Sequence, residues 1–431
     1  MSKAWGGTLL TNTLMLGLGV VTGIMAARLL LPEGRGLLAA VFFWPQLAAG
    51  LGIFSLNEAT AYEIGRQPDR WRQLGSAALV IAVPLAATTA ALIVLALPYL
   101  LGPTRSGAWR LAALYALGFV PLNFLTLLTL ATHQGRQRFL QFNLLRMLVP
   151  VFYLLGLVLL WATNKATVPN VVAANLVATA GLAVICAPSL AQLLRILPRW
   201  SDAKDLLRAM TSFHWATVLM ILAAEADRLV AIRLFDDSVI GYYIVAFTLA
   251  SAGFLAVSSA SYSVLMPQLA TTPKASQPSE LSRGIRMAMF VLVSFGLIIF
   301  LLAPTLVDVM FGPAFAPAGT IARYLTIAFL LVALKTVIIR SIRGMGEGRS
   351  GAIAEGIALA LFLAMAWPLG IRFGPIGLPL ALIAANLPAL IFLVNYLRRN
   401  YELAPLSLWG LRAATLRDIV ESVRFERGGV R

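Results

Sequence analysis

The sequence predicts an all-α integral membrane protein, and its composition and the length of its apolar stretches are the observations that predict it. Hydrophobic residues make up 60% of the 431 residues and charged residues only 12%, far from the averages of soluble domains. Apolar stretches of roughly twenty residues, enough to cross a hydrocarbon core about 30 Å thick, recur along the chain. They predict about twelve transmembrane helices, at 8–31, 37–56, 74–101, 111–131, 144–162, 168–190, 213–234, 241–266, 287–310, 321–339, 352–371 and 376–397.

The distribution of Lys and Arg predicts the orientation of these spans. Twelve spans place both termini on one side of the membrane. Roughly three times as many basic residues fall on that side as on the other, and the side rich in Lys and Arg is normally cytoplasmic. Both termini are therefore predicted to be cytoplasmic. The same spread over every cytoplasmic turn accounts for the net charge of +16 without a nucleic acid partner, because a nucleic-acid-binding module concentrates its charge on one face.

An internal repeat divides the chain into two halves of six spans. The turn 28–36 and the turn 233–241 each begin with Arg and, after seven residues, reach a Gly that opens the next span. A Gly-Arg pair at 135–136 follows the fourth span and another at 348–349 follows the tenth. Because each half has an even number of spans, both halves enter the membrane in the same direction. The repeat therefore predicts two six-helix lobes related by a pseudo-two-fold axis along the membrane normal, as in many transporters.

The predicted domain organisation follows from this repeat. Residues 1–197 form an N-terminal six-helix lobe, 198–211 a cytoplasmic linker, 212–397 a C-terminal six-helix lobe and 398–431 a cytoplasmic amphipathic tail. In such transporters the substrate binds between the repeats. The tail is predicted to form a helix on the cytoplasmic leaflet, because apolar residues recur there at helical spacing. These residues are Trp409, Ala413, Leu416, Val420 and Val423.

Short motifs in both halves resemble those of a known protein family. The motifs are Ala-Arg-Leu-Leu-Leu-Pro-Glu-Gly-Arg-Gly at 27–36, Phe-Trp-Pro-Gln at 43–46, Asn-Glu-Ala at 57–59, Asp-Arg-Leu at 227–229, Gly-Tyr-Tyr at 241–243, Met-Pro at 266–267 and Gly-Met-Gly-Glu-Gly-Arg at 344–349. They resemble bacterial flippases of polysaccharide repeat units, such as O-antigen flippases. This family belongs to the multidrug/oligosaccharidyl-lipid/polysaccharide (MOP) exporter superfamily, and the resemblance extends over nearly the whole chain.

The resemblance implies a fold, an activity and partners. It implies two six-helix lobes around a central cavity that opens to one side at a time. The implied activity moves an undecaprenyl-pyrophosphate-linked oligosaccharide across the bacterial cytoplasmic (inner) membrane during polysaccharide biosynthesis. The implied partners are this lipid-linked oligosaccharide, membrane lipids and H⁺ or Na⁺ as the coupling ion. Lipid II flippases of the same superfamily often carry two additional C-terminal spans, which residues 398–431 are too charged to supply.

Four basic residues are the candidate substrate-binding residues. Ionisable side chains within spans are costly and usually face a cavity or a partner. Arg228 and Lys335 lie deep within predicted spans, and we expect them to bind the pyrophosphate. Arg146 and Arg340 lie nearer the predicted cytoplasmic surface, at the inner mouth of the cavity. The alternative roles are snorkelling of Lys335 to the interface and interfacial anchoring by the two arginines.

Three carboxylates are candidates for coupling transport to an ion gradient: Glu225, Asp227 and Glu58. Glu225 and Arg228 are three residues apart on one helical face, so an ion pair that locks the helix to its neighbours is the alternative role. Asp227 is predicted to point away from Glu225. Glu58 ends the second predicted span, where its alternative role is to cap the loop.

Enzyme functions lack their residues in this sequence. His133 and His214 do not have the spacing of metal ligands, and there is no nucleophile motif or phosphate-binding glycine loop. The sequence therefore predicts neither a metal site nor a cofactor. Two alternatives to the flippase remain open. One is a multidrug or organic-cation exporter of the same superfamily, which favours an acidic, aromatic-lined cavity. The other is a membrane polymerase or ligase of lipid-linked sugars, which typically needs a longer outer loop than any predicted here.

Overall fold

The chain folds into α-helices joined by short turns. A computed structural model describes residues 2–403 apart from 103, 104, 106 and 346, and this part of the chain contains no β-strand. The helices are α1 (Ser2–Gly52), α2 (Leu56–Arg66), α3 (Trp71–Leu101), α4 (Trp109–Gly135), α5 (Phe139–Ala162), α6 (Val168–Leu194), α7 (Trp200–Leu234), α8 (Asp237–Thr271), α9 (Gln277–Phe311), α10 (Ala316–Gly344), α11 (Arg349–Phe373) and α12 (Gly377–Tyr401). The predicted all-α fold class is confirmed.

The first two predicted spans lie in α1, which is broken at Leu31. This residue has φ 60° and ψ 176°, a conformation that costs a non-glycine residue about 1–3 kcal/mol. Pro32 follows and cannot donate the next helical hydrogen bond. A second kink, where Phe54 and Ser55 have positive φ, separates α1 from the short helix α2. The second predicted span therefore ends at this kink, and α2 continues beyond it.

The other ten predicted spans correspond one to one to α3–α12. Nine helical stretches in the described residues are long and apolar enough to cross a membrane, and some of them include two predicted spans. The chain is therefore a multi-pass membrane protein. The helix α7, of 35 residues, is not among these stretches.

Residues 200–211 lie in α7, although the sequence predicted a linker at 198–211. At the start of α7, the Asp202 side chain accepts a hydrogen bond from the Arg199 backbone N–H. This bond satisfies one of the backbone donors that the start of a helix leaves without an intrahelical partner. The charged first turns of α7 are thus helical, and only 198 and 199 remain between α6 and α7 in the part predicted as linker.

The chain forms two compact units, residues 1–244 and 245–431. The first unit contains α1–α7 and the start of α8, and its core includes the fully buried side chains of Leu38, Leu97 and Tyr115. The second contains the rest of α8 and α9–α12, with Leu292 and Leu393 in its cores. The predicted lobes 1–197 and 212–397 stay a prediction. Most of the predicted tail, residues 404–431, lies outside the described residues.

The two repeated turns pack against each other within the first unit. A Cβ on Gly36 would overlap the carbonyl group of Asp237, and a Cβ on Gly241 would overlap the carbonyl group of Pro32. Pro32 and Asp237 are separated along the chain by the same number of residues as Gly36 and Gly241. Each glycine therefore packs on the residue of the other turn that corresponds to the partner of its equivalent. Glycine is required at both 36 and 241, because a backbone carbonyl occupies the space that a side chain would take.

The predicted match between the Gly-Arg pairs at 135–136 and 348–349 is wrong, because the two pairs lie at different positions relative to the helix ends. Gly135 is the last residue of α4, whereas Gly348 lies immediately before α11 and the last residue of α10 is Gly344. The equivalent of Gly135 is therefore Gly344. A longer match escaped the sequence prediction: Ala-Ala-Asn-Leu occurs at 173–176 in α6 and again at 384–387 in α12.

Candidate functional site

An elongated cavity of about 380 Å³ lies between α1 and α7 in the first unit, and we name it the α1–α7 slot. Its wall follows α1 from Arg35 to Gly50, a length of about 22 Å at the helical rise of 1.5 Å per residue. The polar side chains of the wall are Arg35, Gln46, Glu225 and Arg228. The other lining residues are Ala39, Phe42, Phe43, Leu47, Gly50, Ile221, Ile232 and Ile244.

Arg228 and Glu225 form an ion pair on the α7 side of the slot. The Arg228 Nη2 donates to Glu225 Oε1 at 2.9 Å, and the two side chains are 28% and 27% exposed. Their spacing of three residues places them on one helical face, as the sequence predicted. Each charge therefore has a partner and still borders the cavity.

Arg35 adds a second guanidinium to the slot. The sequence places it in the predicted turn 28–36, on the side opposite the termini. In the structure it is half-buried, and no carboxylate within the described residues lies within 4.0 Å of it. Its Nε is buried without a hydrogen-bond partner in the described structure. Since Arg228 is neutralised by Glu225, Arg35 leaves the slot with net positive charge.

A chain of hydrogen bonds holds Gln46 in the slot wall. Its Nε2 donates to the Tyr115 hydroxyl at 3.2 Å, and that hydroxyl donates to Asn175 Oδ1 at 2.9 Å. Tyr115 is fully buried in α4, so it has few alternative partners. Asn175 belongs to the repeated Ala-Ala-Asn-Leu segment of α6. The network therefore links a slot residue to a repeat element that the sequence prediction overlooked.

Asp227 lies away from the slot, as predicted from its position relative to Glu225. Its side chain is buried, and the Tyr243 hydroxyl donates to Asp227 Oδ2 at 2.8 Å. The bond joins α7 to the start of α8. A buried carboxylate needs such a donor, because an uncompensated polar group in the interior is costly.

Glu58 and Arg146 line a second cavity of about 720 Å³ in the first unit, between α2, α4 and α5, and we name it the vestibule. Glu58 Oε2 accepts a hydrogen bond of 3.0 Å from Thr217 Oγ1 on α7. The Arg146 guanidinium lies over the Phe142 ring, 5.0 Å from its centroid. The remaining lining residues are Asn57, Ala61, Tyr62, Gly65, Leu127, Leu130, Ala131, Gln134, Gly135, Gln137, Phe139 and Phe142.

Lys335 and Arg340 lie on α10 in the second unit. Lys335 is buried, and its Nζ is 2.8 Å from Glu355 Oε2 on α11. The Glu355 carboxylate is a partner that the sequence analysis did not identify, since the two residues are on different helices. Arg340 is half-buried. The Lys335 ammonium is therefore paired within the protein rather than extended to an exposed position.

Two arginines outside the helices α1–α12 bind at the two ends of α7, Arg70 before α3 and Arg105 between α3 and α4. At the end of α7, Arg105 donates from Nε to Asp237 Oδ1 at 2.5 Å and from its two Nη atoms to the carbonyls of Ile232 and Phe235 at 2.9 and 2.7 Å. At the start of α7, Asp202 pairs with Arg70. Both arginines lie in turns, and the sequence did not predict a partner for either. Cations near the last carbonyls of a helix are stabilising, so Arg105 fixes the α7–α8 turn.

The two histidines do not form part of a metal site in the described structure. His214 is buried in α7, where its ring stacks on Phe54 with centroids 3.6 Å apart. His133 is in the last turn of α4. Across the described residues no group of three or more His, Cys, Asp and Glu side chains is arranged to hold a metal ion.

Comparison with known proteins gives a family and a fold. Residues 24–319, more than half of the chain, match the family described as polysaccharide biosynthesis protein. No curated protein sequence matches significantly.

Among solved structures, lipid II flippase MurJ in an inward closed conformation is similar with a TM-score of 0.75 at 13% identity, over 96% of this chain and 90% of that chain. An inward-facing multidrug resistance MATE family transporter of the MOP superfamily has a TM-score of 0.71 at 18% identity, over 90% of this chain and 95% of that chain. A MOP superfamily transporter from Pyrococcus furiosus has a TM-score of 0.55 at 16% identity, with 93% of each chain covered.

These matches confirm the predicted fold and agree with the predicted resemblance to proteins of polysaccharide biosynthesis. They come from two independent kinds of likeness. The sequence match covers most of the first unit and part of the second, and the structural matches extend over at least nine tenths of the chain. The chain belongs to the polysaccharide biosynthesis protein family and has the fold of the MOP superfamily transporters.

Proposed function

We propose that the protein is a flippase that moves an undecaprenyl-pyrophosphate-linked oligosaccharide from the cytoplasmic to the outer leaflet of the bacterial inner membrane by alternating access. The observation that carries this proposal is the α1–α7 slot, which has two guanidiniums and one carboxylate in a chain of the polysaccharide biosynthesis family. A net positive cavity suits an anionic substrate.

The chemistry of the slot supports this substrate class. A guanidinium binds phosphate oxygens through charge-assisted hydrogen bonds, often two at once. The unpaired Arg35 supplies free donors, and the Gln46 amide can hydrogen-bond a sugar hydroxyl. The polar headgroup is the part that cannot cross hydrocarbon unaided, because desolvating its charge without partners is costly. The polyprenyl tail can remain in lipid.

We assign the remaining candidates as follows. Arg228 and Lys335 are the basic groups proposed to contact the pyrophosphate, and Arg146 and Arg340 are proposed at the inner mouth. Glu225, Asp227 and Glu58 are the proposed groups for coupling to H⁺ or Na⁺. Asp227 has the strongest support among them, because it is buried with Tyr243 as its donor.

Deletion of the gene tests the proposed function. Cells without the protein should accumulate the lipid-linked oligosaccharide on the cytoplasmic leaflet and lose the corresponding surface glycan, and the wild-type gene should restore both. The measurement is mass spectrometry of extracted polyprenyl-linked glycans together with surface staining. An unchanged glycan in the deletion strain would contradict the flippase.

An organic-cation exporter is the second candidate, because the slot also holds Glu225 and the rings of Phe42 and Phe43. A carboxylate beside aromatic faces is a chemistry that binds cations. The same deletion strain distinguishes the two candidates. An exporter predicts sensitivity to cationic dyes with an intact surface glycan, whereas the flippase predicts the reverse.

The proposed orientation places both termini in the cytoplasm, since the side rich in Lys and Arg faces inward. Epitope tags at Met1 and Arg431 should both be inaccessible to antibody or protease in intact cells and accessible after permeabilisation. A tag inserted in the turn after α5, at Lys165, should be accessible from outside and serves as the control. Detection of either terminal tag on intact cells would refute the orientation.

A further inference from the structure

The vestibule and the α1–α7 slot are separate cavities on successive parts of the same chain segment. The slot ends at Gly50, the vestibule begins at Asn57, and they share no lining residue. The kink between α1 and α2 lies between them, where Phe54 has φ 53°. Its ring stacks on His214 of α7 at 3.6 Å and 21°.

A hydrogen bond reinforces this division. Glu58 on α2 accepts from Thr217 on α7 at 3.0 Å. Thr217 is nearly one turn after His214, and Ile221 at the near end of the slot is another turn further. The order along α7 is therefore ring stack, hydrogen bond and slot. The contact between α2 and α7 therefore lies between the vestibule and the slot along α7.

The vestibule holds a cation without an anionic partner. Arg146 is half-buried over the Phe142 ring, and no carboxylate among the described residues lies within 4.0 Å of it. Glu58, the acidic residue of the same wall, is engaged by Thr217 instead. A partly desolvated guanidinium with open donors is a strong binding group for an anion.

Three further arginines lie near the turn between α4 and α5, whose Gly135 and Gln137 line the vestibule: Arg136 and Arg138 belong to this turn and Arg72 to α3. Arg136 lies over the Trp71 ring at 3.6 Å. Burial, followed by the like charges of Arg138 and Arg72, lowers the pKa of the Arg136 guanidinium. These charges have no salt-bridge partner in the described part of the chain. Their mutual repulsion would be relieved by a bound anion.

The rest of the wall suits a sugar attached to that anion. Asn57, Gln134 and Gln137 present amides, which both donate and accept hydrogen bonds. The rings of Tyr62 and Phe142 line the same cavity. At about 720 Å³ the vestibule falls within the usual size of small-molecule sites, roughly 300–1,000 Å³.

We propose that the vestibule is a separate binding station for a phosphate-linked sugar headgroup, occupied before the headgroup enters the α1–α7 slot. This proposal rests on the proposed function and adds a second site to it. Arg146 binds the phosphate, and the amides and rings bind the sugar. The contact of Phe54 with His214 lies between the two stations.

The test compares cysteines at the two stations by their labelling with a water-soluble maleimide. The buried Cys186 is replaced by Ser, and Gln134→Cys in the vestibule or Leu47→Cys in the slot is introduced, with Lys165→Cys as the remote control. The full chain is placed in phosphatidylcholine nanodiscs with undecaprenyl pyrophosphate, with phosphatidylglycerol or with neither. Undecaprenyl pyrophosphate should slow labelling at Gln134→Cys and Leu47→Cys and leave Lys165→Cys unchanged.

Crossed arginine substitutions then separate the stations. Arg146→Gln should raise the lipid concentration that protects Gln134→Cys roughly 10- to 100-fold, the usual effect of losing a hydrogen bond to a charged group. It should leave protection of Leu47→Cys intact. Arg228→Gln should instead raise the lipid concentration that protects Leu47→Cys and leave protection of Gln134→Cys intact. Arg146→Lys keeps the charge and is used if the Gln variant does not fold.

Every other labelling result contradicts either the vestibule as a separate station or the proposed function. Protection of Leu47→Cys alone would overturn the vestibule and leave the proposed function standing. Equal protection by phosphatidylglycerol would overturn the vestibule as a substrate station and assign it to ordinary lipid headgroups. Loss of protection at both cysteines with either substitution would mean a single site. Absence of protection at both positions would contradict the proposed function itself.

Discussion

Replacing Arg228 and Lys335 together with Gln is expected to abolish export of the glycan while leaving protein abundance largely intact. Each residue is a basic group within a predicted membrane span and carries a charge proposed to contact the pyrophosphate. A hydrogen bond to a charged group contributes about 1.5–3 kcal/mol, so each lost contact weakens binding roughly 10- to 100-fold. Surface glycan staining and the membrane level of the protein measure the two effects.

The carboxylate partners provide the matched controls for this experiment. Arg228 pairs with Glu225 and Lys335 with Glu355, so a single Gln substitution also leaves a carboxylate unpaired. The doubly neutral variants Glu225→Gln/Arg228→Gln and Lys335→Gln/Glu355→Gln remove both charges of a pair. If the cations bind substrate, these variants remain defective. Restored export in a doubly neutral variant would show that its cation serves only to neutralise the carboxylate.

Gly36→Ala is expected to destabilise the protein severely. A Cβ at this position would lie 2.6 Å from the carbonyl carbon of Asp237, well inside van der Waals contact. The obstacle is backbone, so rotamer changes cannot relieve it, and the turns 32–36 and 237–241 must separate. Overpacking of side chains lowers the free energy of unfolding by about 1–3 kcal/mol. We expect a clash with backbone to lower it by at least the upper value of this range. Gly241→Ala should behave alike, since its Cβ would lie 2.8 Å from the carbonyl carbon of Pro32.

Gly17→Ala is the matched control, because a Cβ there meets no atom within 4 Å. Both glycines are in α1, so replacing either one with Ala raises the helix propensity of the same helix. Size-exclusion chromatography of fluorescent fusions and thermal unfolding in detergent measure the difference. We expect a loss of monodisperse protein or a lower Tm for Gly36→Ala, and little change for Gly17→Ala. Equal behaviour of the two variants would show that the turns do not pack as described.

The sequence was sufficient to predict most of the membrane-spanning helices because each one obeys a local constraint. A helix in hydrocarbon needs about twenty apolar residues, whatever it packs against. The ten predicted spans after residue 74 accordingly each have a helix. The first turns of α7 escaped this reasoning, because Asp202 and Asp205 make them polar, and they are held by the Asp202 hydrogen bond to the Arg199 N–H and by the ion pairs with Arg70.

Residue pairs were predictable only where they are close along the chain. The contact between Glu225 and Arg228 follows from helical periodicity, since residues three apart share a face. Arg105 with Asp237 and Lys335 with Glu355 lie on different elements. No pattern within one helix predicts such a partner. The sequence also matched Gly348 to Gly135, although the equivalent helix end is Gly344. A match of two residues is too short to show where a helix ends.

The candidate cavities were decided by the tertiary structure alone. The sequence identified Arg228, Glu58 and Arg146 as candidates, because charge within or beside apolar segments is rare. It did not show that Arg228 and Arg35 share one cavity while Glu58 and Arg146 share another. Hydropathy reports the environment of each residue along its own helix, whereas a cavity exists only where several helices leave space between them. The chain thus determines by itself which segments enter the membrane, and only packing determines which charges meet.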